Sequence, residues 1–295
     1  MRTTPNSTVN IAELIPELAS RSIVATRLHP RPGSETAMDI SKMGGSFIWP
    51  QSEEWPFCDE HKTHFSTVLQ LKSQDIPGNR FPANRDLLQI LWCPNDHESS
   101  GYAPAVKAFW RRHQDIAESS SLSGNIIRGM DEYQPKFCTL HPEPVLEFPS
   151  PYELSEELIK KISACPELRR AAQDLRRETK TEWDASYAYQ CLWSVAVGTK
   201  VGGYVHWVQD AAIPKCSACG NSMAHVLTIA SAEFDGATRD RRCPIEDREC
   251  WQADYETRKS AQRASGLMLG DMGYVYIFTC NRCDVGAVQS VLQCS

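Results

Sequence analysis

Residues 41–71 and 199–229 of this chain align without a gap at an offset of 158 positions. Nine of the 31 pairs are identical: Lys42/Lys200, Gly44/Gly202, Gly45/Gly203, Trp49/Trp207, Gln51/Gln209, Pro56/Pro214, Cys58/Cys216, Val68/Val226 and Leu69/Leu227. Average residue usage would give about two. The matches also preserve the spacing of glycine, tryptophan, proline and cysteine, which chance does not favour. The chain therefore reads as one structural unit built twice.

Each copy implies the same local structure. The Gly-Gly pair permits positive φ and suits a tight turn. Phe47 and Trp49 in one copy, and Val205 and Trp207 in the other, alternate as in a half-buried strand. Pro56 and Pro214 end that stretch just before the cysteines. A second strand is predicted at Thr67–Leu71 and at His225–Ile229. A stronger apolar strand follows at Leu87–Trp92 and at Tyr274–Thr279, and metal-ligand residue types stand at the end of each. Gly270-Asp271-Met272-Gly273 reads as a hairpin turn leading into the latter.

Between the copies the texture changes. Ser119–Gly124 reads as a flexible loop, and residues 136–149 as a strand interrupted by prolines. From Ser155 the pattern is helical, with Leu158, Ile159 and Ile162 on one face and Glu156 and Glu157 in the first turn. Pro166 starts or kinks a second helix reaching about Lys180. At the N-terminus a short helix is predicted at Ile11–Leu18, capped by Asn10 and challenged by Pro16, then a strand at Ser22–Leu28. The halves divide near residue 150, giving units 1–150 and 151–295.

The chain has twelve cysteines among 295 residues. The first twenty residues lack the basic start, unbroken apolar run and cleavage site of a secretory signal, and no stretch approaches membrane-span length. A cytoplasmic location is expected, where closely paired cysteines signify metal more often than disulfides. Cys216-x-x-Cys219 and Cys280-x-x-Cys283 have the spacing of two knuckle turns that complete one tetrahedral, structural zinc site. Gly220 suits the left-handed residue such a turn requires. A redox role would need one such pair opening a helix, whereas here the second pair follows a strand.

The first copy offers Cys58-x-x-His61 and Cys93-x-x-x-His97. Aligned on Asn95/Asn281, however, Cys93 falls on Thr279, so a degenerate, metal-free knuckle is the favoured reading. A second zinc site, with two cysteine and two histidine ligands, is the alternative. Cys243 and Cys250 are weaker candidates for further ligands. Cys138, Cys165, Cys191 and Cys294 read as small hydrophobes or surface thiols, and His206 and His225 as strand residues.

Net charge is −6 and pI about 5.8, which argues against nucleic acid as a partner. The basic clusters at Arg169-Arg170, at Arg176-Arg177 and at Arg239, Arg241 and Arg242 read as solvated faces. No nucleophile elbow, phosphate loop, zinc-protease motif or dinucleotide-binding glycine pattern occurs. Asp271 and Glu233 are isolated acids that no motif singles out.

The motifs Ser41-Lys42-x-Gly44-Gly45, Trp55-Pro56, Leu69-Gln70-Leu71, Leu88-Gln89-x-Leu91, Lys200-x-Gly202-Gly203, Gln209 and Gly270-Asp271-x-Gly273-x-Val275-Tyr276-Ile277-Phe278 resemble the YwqG-like family of bacterial proteins, a domain of unknown function. The resemblance covers roughly residues 40–97 and 199–283. It implies an α+β fold, mainly antiparallel β, with an internal pseudo-two-fold duplication and peripheral helices. Relatives occur beside polymorphic toxins, where an immunity role has been inferred. The group more distantly resembles programmed cell death protein 2, whose relatives escort a ribosomal protein. The resulting expectation is a non-enzymatic, zinc-stabilised protein-binding protein, with a cognate toxin as partner. A ribosomal assembly factor and a hydrolase are the alternatives.

Overall fold

The computed structural model describes residues 1–7, 9–78, 81–116, 127–179, 182–283 and 287–294. The loop expected at Ser119–Gly124 lies outside them, as does Lys180. In chain order the elements are α1 (Ile11–Leu14), β1 (Ile23–Arg27), β2 (Arg31–Pro32), β3 (Lys42–Met43), β4 (Phe57–Cys58), β5 (Thr63–His64), β6 (Ser66–Lys72), β7 (Leu87–Trp92), β8 (Val106–Arg111), β9 (Cys138–Thr139) and β10 (Glu143–Glu147). Then follow α2 (Glu156–Ala164), α3 (Pro166–Thr179), α4 (Ala185–Leu192), β11 (Lys200–Val201), β12 (Ala224–Ala230), α5 (Arg239–Arg242), α6 (Tyr255–Gln262), β13 (Tyr274–Thr279) and β14 (Val288–Gln293). The architecture is α+β with antiparallel strand pairing throughout the described sheets.

Two six-stranded sheets carry the fold, ordered β10-β1-β11-β12-β13-β14 and β2-β9-β3-β6-β7-β8. Their inner faces share one apolar core that joins Met43, Leu69, Leu88 and Trp92 to Val201, Leu227, Ile229 and Ile277. The second sheet lies wholly before residue 150, but the first draws on both halves. β1 and β10, both before residue 150, lie in the sheet that carries β11–β14. β1 pairs with β11 through Arg27↔Lys200, and β9 pairs with β3 through Thr139↔Lys42. The chain thus crosses between sheets at β1–β2 and again at β9–β10.

The registers repeat at the offsets seen in sequence. β3 meets β6 at Met43↔Leu69, and β11 meets β12 at Val201↔Leu227. β6 and β7 pair from Ser66↔Trp92 to Lys72↔Leu87 with an irregularity between Thr67 and Leu69. β12 and β13 pair from Ala224↔Thr279 to Ala230↔Tyr274 with the irregularity at the same place, between His225 and Leu227. Gly45 and Gly203 both have φ of +74°. A Cβ at Gly203 would also stand 2.3 Å from Glu147 Oε2, so sterics and backbone agree on glycine there.

Both turns close around an ion pair with a fully buried lysine. Lys42 Nζ donates to Glu35 Oε1 at 2.6 Å, and Lys200 Nζ to Glu147 Oε1 at 2.5 Å. The same carboxylates accept the backbone N–H of Ser46 and of Tyr204. Burial lowers the Lys200 ammonium pKa to about 8, an effect Glu147 partly offsets.

The strands expected at Phe47–Trp49 and Val205–Trp207 are extended segments without a ladder. Phe47, Trp49, Val205 and Trp207 are buried as expected, but Ile48 is buried as well, so the first segment does not alternate. Side-chain amides meet backbone groups in place of a ladder. Gln70 Oε1 accepts from Ile48 N, and Gln89 Nε2 donates to Ile48 O. Just past the second segment, Gln293 Oε1 accepts from the N–H groups of Val208 and Gln209.

Helices α1–α4 form a layer of their own, in which Ile11, Leu158, Ile162, Leu168, Tyr189 and Trp193 pack together. Asn10 caps α1, which stops at Leu14, and a 3-10 turn, Pro16–Arg21, continues the segment. The early stop follows from the missing N–H of Pro16. Ser155 and Asp184 cap α2 and α4 through the N–H of Leu158 and of Tyr187. One expected surface cluster is only partly on the surface, with Arg239 and Arg241 half-buried. Arg169 and Arg170 are exposed, but Arg242 is fully buried, donating to the carbonyls of Ser194 and Val195. No helix among the described residues is long and apolar enough to cross a membrane.

Candidate metal centres

The short hairpin β4–β5 pairs Phe57↔His64 and Cys58↔Thr63, and it places Cys58 and His61 at its tip. Lys215 and Ser222 form the corresponding bridge in the second copy. Each hairpin is anchored by the same bond, Phe65 N to Pro56 O and Met223 N to Pro214 O, both 2.9 Å. The second pair of donors arrives from the ends of β7 and β13. Cys93 N bonds Ala105 O, and Cys280 N bonds Ala287 O. Long β strands thus deliver one pair and a tight turn the other.

The structure brings together Cys216, Cys219, Cys280 and Cys283, with all four sulfurs within 4.8 Å of one another. Cys216 Sγ lies 3.7 Å from Cys283 Sγ, and Cys219 Sγ lies 3.6 Å from Cys280 Sγ. These separations far exceed the ~2.05 Å of a disulfide. Gly220 takes φ of +71°, the left-handed turn expected of it. Two donors point at the sulfurs: Asn221 Nδ2 at 3.2 Å from Cys219 Sγ, and Arg282 N at 3.4 Å from Cys280 Sγ.

Cys58, His61, Cys93 and His97 meet in the same way, again with ligand atoms within 4.8 Å. Cys93 Sγ stands 3.5 Å from His61 Nδ1, and Cys58 Sγ is 3.7 Å from His61 Nδ1 and 3.9 Å from His97 Nε2. The strand register corrects the sequence alignment. Trp92 and Thr279 occupy equivalent ends of β7 and β13, so Cys93 corresponds to Cys280 and the Asn95/Asn281 match is one residue out. The loop from Cys93 to His97 is one residue longer than that from Cys280 to Cys283, which hides the correspondence in an ungapped comparison. Glu60 was not singled out by sequence, yet its Oε2 holds His97 Nδ1 at 2.9 Å. That bond leaves Nε2 to face the cysteines, as a metal-binding imidazole requires.

The two pockets are apolar and alike. Phe47, Trp49, Cys58, Phe65, Leu91 and Cys93 cluster in one, and Val205, Trp207, Cys216, Met223, Phe278 and Cys280 in the other. Burial pushes the Cys93 thiol up to about 12. Cys283 is held high by the crowd of Cys219, Cys280 and Cys216, whereas hydrogen bonding from Asn221 lowers Cys219. A cation replacing those protons resolves this competition. Both sets can hold a metal ion.

The remaining candidates lie elsewhere. Cys243 and Cys250 pack with Phe234 and Ala261, outside both sets. Cys138 and Cys191 are buried, and Cys165 and Cys294 part-exposed. His225 contacts Thr228 Oγ1 at 2.9 Å. His206 is held neutral by burial, its pKa lowered to about 3. Glu233 is buried, its Oε1 accepting from Thr199 N, and burial raises its pKa.

A search of curated proteins finds no match. The family described as a domain of unknown function, DUF1963, matches residues 41–287 and so takes in both Cys/His sets and every sheet strand except β1, β2 and β14. The chain belongs to that family, the YwqG-like domain its motifs resemble.

Proposed function

We propose that this protein is a non-enzymatic, zinc-stabilised binding protein whose ligand is another protein. The carrying observation is that each ligand set supplies four protein donors. Four donors close the coordination sphere of Zn²⁺, which makes the ion structural rather than a catalyst. Bond lengths of about 2.3 Å to sulfur and 2.0–2.1 Å to nitrogen give tetrahedral edges of about 3.8 Å for S···S and about 3.6 Å for S···N. The 3.6 and 3.7 Å sulfur separations, and sulfur–nitrogen separations of 3.5, 3.7 and 3.9 Å, support zinc at both sets. Thiolate sites of this kind persist in a reducing compartment, so the cytoplasm is the proposed location.

An internal duplication explains why the two sheets, bulges, ion pairs and ligand sets correspond. Within this reading the partner is a bacterial toxin that the protein neutralises, as the family resemblance implies. The acidic net charge of −6 favours a cationic partner surface and fast encounter. The test is co-expression with the product of a neighbouring toxin gene, read as complex formation and survival. Absence of both removes the immunity role. Capture of a ribosomal protein from extract would favour the assembly-factor reading instead.

A further inference from the structure

A cleft of about 480 Å³ lies over the second unit, and the first unit has different residues at the matching positions. Where the first unit has Ile48, Ile76 and Leu87, the second has His206, Phe234 and Tyr274, and all three line the cleft. Helix α4, inserted between the copies, closes another side with Tyr187. Aliphatic positions have become an aromatic enclosure.

Trp207, only 1% exposed, also lines the cleft, and its buried indole N–H has no acceptor in the protein. Its counterpart Trp49 donates to Glu53 O at 2.9 Å. An unmet buried donor is costly and marks a place where a ligand atom can serve. At the rim stands Asp235, whose Oδ1 is occupied by the N–H groups of Ala237 and Thr238. Its carboxylate lies near enough to Tyr187 and Tyr274 to act on both phenols. No Lys or Arg lines the cleft among the described residues, so it offers a phosphate no counter-charge.

We propose that this cleft binds an uncharged, planar amino-heteroaromatic molecule of nucleobase or nucleoside size. The ring stacks among Phe234, Tyr274 and Tyr187, as aromatic walls favour. A ring carbonyl or ring nitrogen accepts the Trp207 N–H, and an amino edge donates to Asp235. The inference is independent of the protein-binding reading, since it rests on different residues.

The test is isothermal titration of the metal-loaded full chain with guanosine and with cytidine, which carry both an acceptor and an amino edge. Uridine and the two 5′-monophosphates serve as comparisons. Binding of guanosine or cytidine is expected, with weaker binding of the amino-free and phosphorylated probes. Trp207→Phe, which keeps the ring and removes the donor, should weaken it about tenfold, as the loss of one buried hydrogen bond implies. Tyr187→Ala, on the inserted helix, should do likewise with metal content unchanged. Neither nucleoside binding at millimolar concentration, or equal affinity in both variants and the parent, overturns the proposal.

Discussion

Lys62 and Gly220 stand at the same place in their two knuckles, one residue past the second ligand, and both are left-handed, with φ of +49° and +71°. The tight turn imposes the conformation and only one copy has the residue that suits it. A side chain in this region costs about 1 kcal/mol. Gly220→Ala is expected to lower stability by about that amount, read as a reduced urea midpoint. Bound metal should be retained, because a Cβ there meets nothing within 4 Å. Lys62→Gly should shift the midpoint the other way by less, since glycine also gains freedom in the unfolded chain. Equal midpoints in all three proteins would contradict the strain argument.

Metal removal separates the two centres. Purified protein is expected to carry two zinc ions per chain, and Cys280→Ser one, counted by elemental analysis. Chelation should lower the melting temperature, because structural zinc can contribute on the order of 10 kcal/mol to the stability of its domain. Glu60→Gln acts only on the first centre. The amide oxygen can still accept from His97 Nδ1, so only the carboxylate charge is lost. That zinc should weaken by less than the roughly 10- to 100-fold expected of Glu60→Ala, which removes the acceptor, while the ion held by the four cysteines stays bound in both. A parent protein with no zinc would sink the functional reading as well.

The two ion pairs also differ in how deeply they lie. Lys200 and Glu147 side chains are both 0% exposed, whereas Glu35 is 29% exposed beside its fully buried lysine. Removing one charge from a fully buried pair strands the other, at a cost of about 3–5 kcal/mol. Glu147→Gln should therefore unfold far more readily in urea than Glu35→Gln, where water can approach the lysine's neighbourhood. Similar losses in the two variants would argue against burial as the cause.

What the sequence made legible followed from local rules. Leu87–Trp92 and Tyr274–Thr279 became strands with the expected bounds, because long apolar β-formers between turn residues admit little else. Gly44-Gly45 and Gly202-Gly203 adopted positive φ for the same local reason. Long-range chemistry was hidden. Nothing near Trp49 or Trp207 in sequence says that Gln89 or Gln293 will replace a β ladder. Nothing near Arg242 says that distant carbonyls will receive its guanidinium. The two Cys/His sets lie between these cases: residue type and spacing named the residues that come together, but only the strand register aligned Cys93 with Cys280.

Acidification should expose a group that the metal sites do not contain. His29 is fully buried, its Nε2 2.9 Å from Glu143 Oε2. Burial, reinforced by Arg27, lowers its pKa to about 3, below the ordinary value near 6.5. Above pH 6.5 neither folded nor unfolded chain binds this proton, so the stability is fully present. Below 6.5 the unfolded chain takes it up and the folded one does not, so stability falls by about 1.4 kcal/mol per pH unit until about pH 3. His206, also lowered to about 3, adds a parallel loss. His29→Asn should make the decline between pH 6.5 and 5 shallower by about one proton's worth, because asparagine tolerates the φ of +44° found there and does not titrate. Metal release at low pH affects parent and variant alike, so the difference between their urea midpoints isolates the histidine. Parallel declines in the two proteins would show that His29 charges freely in the folded state.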